Sequence, residues 1–393
     1  MHPSEEIYCE KSSKLKGKTV VIGITGSVAA SECFATIREL IRHGASVIPV
    51  MTEAATKFVT PMMMEFASGN KAITELTGAT EHVNLMGGSD ADVLVIYPAT
   101  ANTISKIANG IDDTPVTSMA TVALGSGIPV AIAPAMHDAM YRNPAVRRNV
   151  DYLRSLGVTF IGPRVDGPRA KVASKDEVIA TIFRLTTKDD LVGKRVLVIG
   201  GRSEEPIDSM RMVTNRSTGL MAVRIAERAF ERGADVELWM GGCSVPLPDY
   251  IPVKRFDTVA DLISMVDTID HDIVIVPAAL ADFTPAGKVK GKISSDSAID
   301  MRLDPVPKVL PLISKRCDTV IGFKAESGLS SDELVEKARS RLDAYGLKAI
   351  IANDIDSAGK TSSSAIIVTK DSQKNITGPK ENIADSILDF CTE

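Results

Sequence analysis

The apolar run Val196–Ile199 stops at Gly200-Gly201, and the chain then reads GGRSEEPIDSMRMVTNRSTG from Gly200 to Gly219. A short, unbroken apolar run bounded by glycines is the signature of a parallel strand buried on both faces. Two glycines at the strand end let the backbone approach a ligand closely. The polar segment is followed by a helix-period stretch, Met221–Phe230. Strand, glycine turn, polar loop and helix start together predict a doubly wound α/β fold, which holds anions at the helix N-terminus. A Rossmann-like unit with a decorated loop explains the glycines. It does not explain why Arg211, Asn215, Arg216 and Ser217 crowd in just before the helix.

A chain of 393 residues exceeds one ordinary core and predicts two domains. Thr19–Ile24, Val47–Met51, Val93–Tyr97 and Val130–Ala133 read as strands separated by helical stretches, so the first half is a β-α-β unit with a parallel sheet. A weak repeat supports a restart: Leu15-Lys16-Gly17-Lys18-Thr19-Val20 returns as Leu191-Val192-Gly193-Lys194-Arg195-Val196. Likewise Ala91–Ile96 resembles His271–Val276. Two strands with similar local needs suffice to explain both pairs. The expected division is a polar leader over 1–16, a first α/β domain over 17–187 and a second over 188–393, joined at Lys188-Asp189-Asp190.

Composition excludes several classes. A net charge of −5 and 4% aromatic residues supply neither a basic face nor a stacking platform for nucleic acid. The uncharged span Thr114–Met136 contains Pro115, Gly125, Gly127, Pro129 and Pro134, so it reads as helix, turn and strand rather than a membrane span. The N-terminal residues have no apolar core for a signal peptide. Five scattered cysteines without a CxxC pair predict a reducing cytoplasm and neither disulfides nor a zinc site.

In the first half, Gly23-Ile24-Thr25-Gly26-Ser27 offers glycines, hydroxyls and a helix start, a combination that suits a phosphate. The ribose-binding acid of a dinucleotide site is absent, and Val50-Met51-Thr52 stands in its place, which suits a mononucleotide. His82 precedes the strand Val93–Tyr97, whose end carries Pro98-Ala99-Thr100-Ala101-Asn102. Another strand end carries Pro134-Ala135-Met136-His137. In an open α/β sheet such ends line one crevice.

The set GITGS, EHVNL, PATANTISKIANGIDD and PAMHDAMYRNP resembles the flavin-dependent cysteine decarboxylases, and GGRSEEPID…NRSTG resembles phosphopantothenate–cysteine ligase. In this order the chain resembles the bifunctional decarboxylase/ligase family of coenzyme A synthesis, from about residue 17 onward. The resemblance implies a flavodoxin-like or Rossmann-like flavoprotein domain and a Rossmann-like ligase domain. It implies FMN held by Gly23, Thr25, Gly26, Ser27, Thr52, Ala99, Thr100, Asn102 and Ser118, with His82 as catalytic base and Met136 and His137 at the substrate. FMN would oxidise the thiol carbon and so supply a sink for the carbanion left by CO₂. A neutral imidazole suits the base. His137 replaces the Asn of the family motif. The flap segment, Ile161–Ala173, lacks the family's acid Cys, which leaves Asp166 or Lys171 as stand-ins or a different return reduction.

In the second half, an amide-forming ligase must activate an acid, and a nucleotide triphosphate with Mg²⁺ and lysines can do so through an acyl-nucleotide. Asp282 closes the strand-end run Pro277–Ala281, and Lys288, Lys290 and Lys292 follow. The resemblance implies catalytic roles for Arg211, Asn215 and Lys292, with Asn215, Arg216 and Ser217 at the acid substrate. Gly200, Gly201, Ala278, Ala279, Asp282, Lys292, Pro307, Lys308, Val309, Leu310, Phe323 and Arg341 would hold CTP or ATP, with Mg²⁺ carried on the triphosphate. Two lysines of the family's Lys-x-Lys-Lys motif are missing after Lys292, and Arg341 and Tyr345 stand at two later lysine positions, so the choice of nucleotide stays open. The expected partners are small molecules and copies of the same chain, as decarboxylase trimers and ligase dimers. The alternatives are an active ligase beside a lost or redirected decarboxylase, a two-domain flavin or nucleotide-binding protein without catalysis, and a nicotinamide-dependent reductase.

Overall fold

The computed structural model describes residues 2–392 except 89, 167–168, 288, 295–297, 327 and 355–361; the side chains of 164–171, 354, 362 and 363 also lie outside the description. The flap candidates Asp166 and Lys171, and Lys288, therefore fall outside the described residues or side chains. The chain divides into two compact units, Met1–Lys188 and Asp189–Glu393.

The first unit is built on five parallel strands: β1 (Thr19–Ile24), β2 (Ser46–Met51), β3 (Val93–Ala99), β4 (Val130–Pro134) and β5 (Thr159–Phe160), in the order β2-β1-β3-β4-β5. That is the flavodoxin-like order, with its reversal between β1 and β3. Alternate residues serve two cores: Val20, Ile22 and Ile24 face one layer of helices, and Val21, with Leu94 and Ile96, faces the other. Burial on both faces is why these strands read as continuous apolar runs. The uncharged span resolves into the helix Pro115–Ser126, capped by Thr114 and ended by Gly127 at φ +74°, and then β4. A short antiparallel pair follows, β6 (Arg164–Asp166) with β7 (Arg169–Lys171).

The segment expected to be a polar leader is part of this unit. Pro3–Glu6 is a helical turn, Ser4 is buried, and Leu15 is fully buried in the core. Backbone bonds from Cys9 N to Ile41 O (3.2 Å) and Leu15 N to His43 O (2.9 Å) tie it down.

The second unit has an eight-stranded sheet. In chain order its strands are β8 (Arg195–Gly200), β11 (Asp235–Met240), β12 (Val253–Arg255), β13 (Ile273–Val276), β16 (Val320–Glu326), β17 (Ala349–Asp354), β18 (Ser362–Val368) and β19 (Gln373–Pro379). They lie in the order β12-β11-β8-β13-β16-β17-β18-β19. The first six are parallel in the Rossmann order, and the reversal falls between β8 and β13. β18 is antiparallel to β17, and β19 to β18, so β19 regains the direction of the parallel strands. Two ribbons decorate the unit: β9 (Glu204–Pro206) with β10 (Met212–Thr214), and β14 (Phe283–Pro285) with β15 (Leu303–Pro305). The first lies inside the long polar loop, which explains its length. Among the described residues no helix is long and apolar enough to cross a membrane.

Candidate active sites

In the first unit, the turn after β1 is bonded to the end of β3 across the strand reversal. Thr25 Oγ1 donates to Pro98 O at 2.7 Å and accepts from Thr100 N at 3.0 Å. Thr52 N donates to Ile24 O at 3.0 Å. Gly26 is required by packing, because a Cβ there would lie 2.6 Å from the Ala54 Cβ. Ser27, Thr52 and Thr100 each cap a helical segment, accepting from Ala29 N (3.3 Å), Ala55 N (3.2 Å) and Thr103 N (3.3 Å). These caps follow β1, β2 and β3, which are neighbours in the sheet. Helix starts with hydroxyl caps therefore gather at one sheet edge, the arrangement that holds a phosphate. The donor set suits a phosphorylated mononucleotide such as FMN.

Beyond β3 and β4 the edge continues. Ala135 N donates to Ala99 O at 2.8 Å, which carries Met136 and His137 out beside Ala99. His137 Nδ1 accepts from Ala139 N at 3.2 Å. The neutral imidazole therefore carries its proton on Nε2, where it can donate to a ligand. Asn102 is exposed in the first turn of the helix Ala101–Ala108, and Ser118 Oγ donates to Asp112 O at 2.9 Å. His82 lies on Glu81–Gly87, a helix packed against Pro115–Ser126. Its Nδ1 is buried with no hydrogen-bond partner among the described residues. A buried polar nitrogen without a partner is costly unless a ligand or water completes it. Among the described residues no hydrogen bond links His82 to His137 or to the β1 turn.

In the second unit, the reversal between β8 and β13 is stitched by Ala279 N to Gly201 O (2.8 Å), Ser203 N to Ala279 O (3.2 Å) and Ala281 N to Ser203 Oγ (2.9 Å). Asn215 Nδ2 donates to Ala279 O at 2.9 Å, so two predicted site residues are in direct contact. Around them opens a cleft of about 510 Å³. It is lined by Asn215, Arg216, Ser217, Ala278, Ala279, Asp282, Pro307, Lys308, Val309, Leu310, Phe323 and Arg341. Lys308 pairs with Asp282 and holds its carboxyl below the usual range, and Lys324 does the same to Glu326 at 2.6 Å.

Gly200 and Gly201 serve packing instead of the cleft wall. A Cβ on Gly200 would lie 2.0 Å from the Ala222 Cβ, and Gly201 has φ +79° with Gly242 O 2.8 Å from where its Cβ would be. The close strand–helix contact at Gly200 brings the start of the helix Leu220–Glu231 to the cleft.

Arg211 and Lys292 do not line the cleft; they belong to a second cluster organised by a residue the motif analysis assigned no role. The Asp208 side chain is fully buried and accepts from Met210 N (2.7 Å), Arg211 N (2.8 Å), Arg211 Nη1 (2.8 Å) and Ile293 N (3.1 Å). These donors hold its carboxyl below the usual range, the Met210 N–H most of all. Arg211 Nη1 also reaches Ile293 O at 3.2 Å. Asp208 thus fastens the segment bearing Lys292 to the segment bearing Arg211. Among the described residues no cluster of three or more His, Cys, Asp or Glu is placed to hold a metal.

Comparison with known proteins fits this division. The Flavoprotein family matches residues 8–187, and the DNA/pantothenate metabolism flavoprotein C-terminal domain matches residues 191–393. The Coenzyme A biosynthesis bifunctional protein CoaBC of Thermococcus kodakarensis is 43% identical, covering 99% of this chain and 98% of that protein. The protein of the same name from Methanocaldococcus jannaschii is 36% identical, covering 99% and 97%. That of Vibrio cholerae is 35% identical, covering 88% and 89%. With two family matches in series and relatives aligned over nearly its whole length, the chain belongs to the family of bifunctional coenzyme A biosynthesis proteins.

Proposed function

We propose that the second unit joins 4′-phosphopantothenate to cysteine through an acyl-nucleotide made from CTP, and that the first unit decarboxylates the product to 4′-phosphopantetheine with FMN. The observation that carries this reading is the convergence of Asn215, Ala279, Asp282, Lys308 and Arg341, distant in sequence, on one cleft at a strand reversal. Lys308, Lys324 and Arg341 offer charge to a triphosphate carrying Mg²⁺. Asn215, held by Ala279 O, is fixed in orientation and keeps its amide oxygen to accept from the attacking amine and its second Nδ2–H to donate to the acyl oxygen.

In the first unit FMN, when bound at the Ser27, Thr52 and Thr100 caps, supplies a two-electron acceptor for the thiol-bearing carbon. His82 takes the thiol proton as that carbon is oxidised, from a position where its buried nitrogen has no competing partner among the described residues. His137 presents Nε2–H to the substrate carboxylate.

Five scattered free cysteines support a cytoplasmic setting. Exposed Phe283 and Leu303 on the β14–β15 ribbon, and Met62 and Phe66 on the helix Pro61–Ser68, support self-association, which we place as ligase dimers and decarboxylase trimers. Mass photometry showing only monomer contradicts that.

Mass spectrometry of one reaction tests the chemistry: full-length protein with 4′-phosphopantothenate, cysteine, Mg²⁺ and CTP or ATP. The expected product is 4′-phosphopantetheine, with CTP preferred. Accumulation of 4′-phosphopantothenoylcysteine alone keeps the ligase and removes the decarboxylase. No coupled product with either nucleotide sinks the ligase reading.

A further inference from the structure

Lys380 begins the helix Lys380–Thr392 and is only 6% exposed, yet it lines the cleft of the second unit. Two other cations at that cleft, Lys308 and Lys324, are paired with Asp282 and Glu326. Among the described residues no carboxylate lies within ion-pair distance of Lys380, and its side chain makes no hydrogen bond. Its neighbour Glu381 is engaged by Arg224 at 2.9 Å. Desolvation disfavours an ammonium without a counterion, and burial of this side chain, against the pull of Glu381, holds it below the usual lysine range.

Strand direction explains its placement. β19 regains the sense of the parallel strands, so the helix after it starts at the same sheet edge as the cleft. The helix Leu220–Glu231 starts there as well, with Gly219 as its cap; Leu220 N donates to Thr218 Oγ1 at 3.4 Å, and among the described residues no side chain caps the amides of Met221 and Ala222. Leu220, Met221 and Ala222 line the cleft beside apolar Ile351, Ala365 and Ile383. Two helix N-termini and one unpaired ammonium thus meet around one cavity, an arrangement that suits an anion.

We infer that Lys380, with the first-turn amides of the two helices that start at Leu220 and Lys380, binds a phosphate group in this cleft. The site deepens the ligase reading and rests on it only for which phosphate is held, the monoester of the acid substrate or the triphosphate of the nucleotide. The apolar surround favours the monoester, whose carrier is an aliphatic chain.

The test is calorimetric titration of the full-length protein and its Lys380→Gln and Lys380→Met variants with 4′-phosphopantothenate, unphosphorylated pantothenate and Mg-CTP. Loss of about 10–100-fold in 4′-phosphopantothenate affinity is expected, the scale of a hydrogen-bonded charge, with pantothenate and Mg-CTP unchanged. Lys380→Arg should recover part of the loss. A loss confined to Mg-CTP keeps the phosphate site and assigns it to the nucleotide. Lys380→Met guards against misfolding, because an apolar isostere removes the buried charge without opening a cavity. Unchanged affinity for both phosphorylated ligands in folded variants overturns the inference. Wild-type protein that binds neither sinks the ligase reading instead, and inorganic pyrophosphate then serves as the probe: binding lost in the variants supports the site, and no difference overturns it.

Discussion

Leu15 and Leu191 sit at the same corner of two different sheets. Each is fully buried, and each amide donates to the end of its unit's first long helix, to His43 O at 2.9 Å and to Arg232 O at 3.0 Å. Gly17 and Gly193 turn the chain at φ +78° and +77°, and Gly44 and Gly233 end the two helices at φ +93° and +95°. Thr19 N and Arg195 N each donate at 2.8 Å to the aspartate just before the neighbouring strand, Asp92 before β3 and Asp272 before β13. The weak sequence repeat is therefore a repeated structural corner. The residue before the helix-ending glycine differs. His43 is a largely buried imidazole, edge-on to Phe183 with centroids 5.1 Å apart, whereas Arg232 is a buried guanidinium bonded to Asp190 and Asp389. Glycines and leucine set the backbone, and the charge at the corner is solved separately in each unit.

The sharpest test of two self-sufficient units is catalytic. His82→Gln should lower decarboxylation by about 10²–10⁴-fold, the usual worth of a positioned base, while coupling to cysteine is unchanged. Separate assays of the two steps would show this, and a matching fall in coupling would break the division. Next, Leu15→Ala and Leu191→Ala should each cost about 2–5 kcal/mol, the range for a buried leucine, and only in its own unit. Urea titration of the full chain, read by hydrogen exchange in peptides of each unit, separates them; loss spread over both units refutes independent cores. Arg232→Met should cost about 1–3 kcal/mol, because it strands two partly exposed carboxylates but fills the space of the side chain. An unchanged urea midpoint would show the pair to be dispensable.

The remaining test concerns pH. Burial pushes the His43 imidazole down to about 4, against the pull of Glu39, from an ordinary value near 6.5. A depressed folded-state value means the unfolded chain binds the proton first. This stability is fully present above about pH 6.5 and is lost as pH falls towards about 4. Urea midpoints of the first unit should decline in that window, and His43→Gln should flatten the decline. The corner at Arg232 should show no such window, since its guanidinium stays charged throughout.

The parallel strands were legible because burial on both faces leaves continuous apolar runs, as in Val93–Ala99 and Val196–Ile199. The cleft was legible because its residues fall in short motifs at strand ends. Residues 1–16 were not, because one leucine and a few backbone bonds anchor them, and neither leaves a periodic trace. In the β18–β19 pair only Ala365–Val368 forms an apolar run, and its partner Gln373–Pro379 is mostly polar with a single Ile, so little marked the pair as sheet. Asp208 escaped because its partners include a backbone amide far along the chain, at Ile293. Lys380 escaped because only the pairing of β18 and β19 turns an ordinary charged helix start into a buried one.

The detour through β18 and β19 also orders the maturation of the protein on the ribosome. Domains fold as units as they emerge, N-terminal first. The five-stranded sheet is complete once Phe160 has emerged, whereas the second cleft lacks one wall until the helix Lys380–Thr392 is made. On the proposed reaction order, the site for the later chemical step is ready first, and the site for the earlier step is finished by residues synthesised well after it. A nascent chain stalled before β18 would decarboxylate a supplied intermediate while still unable to make it.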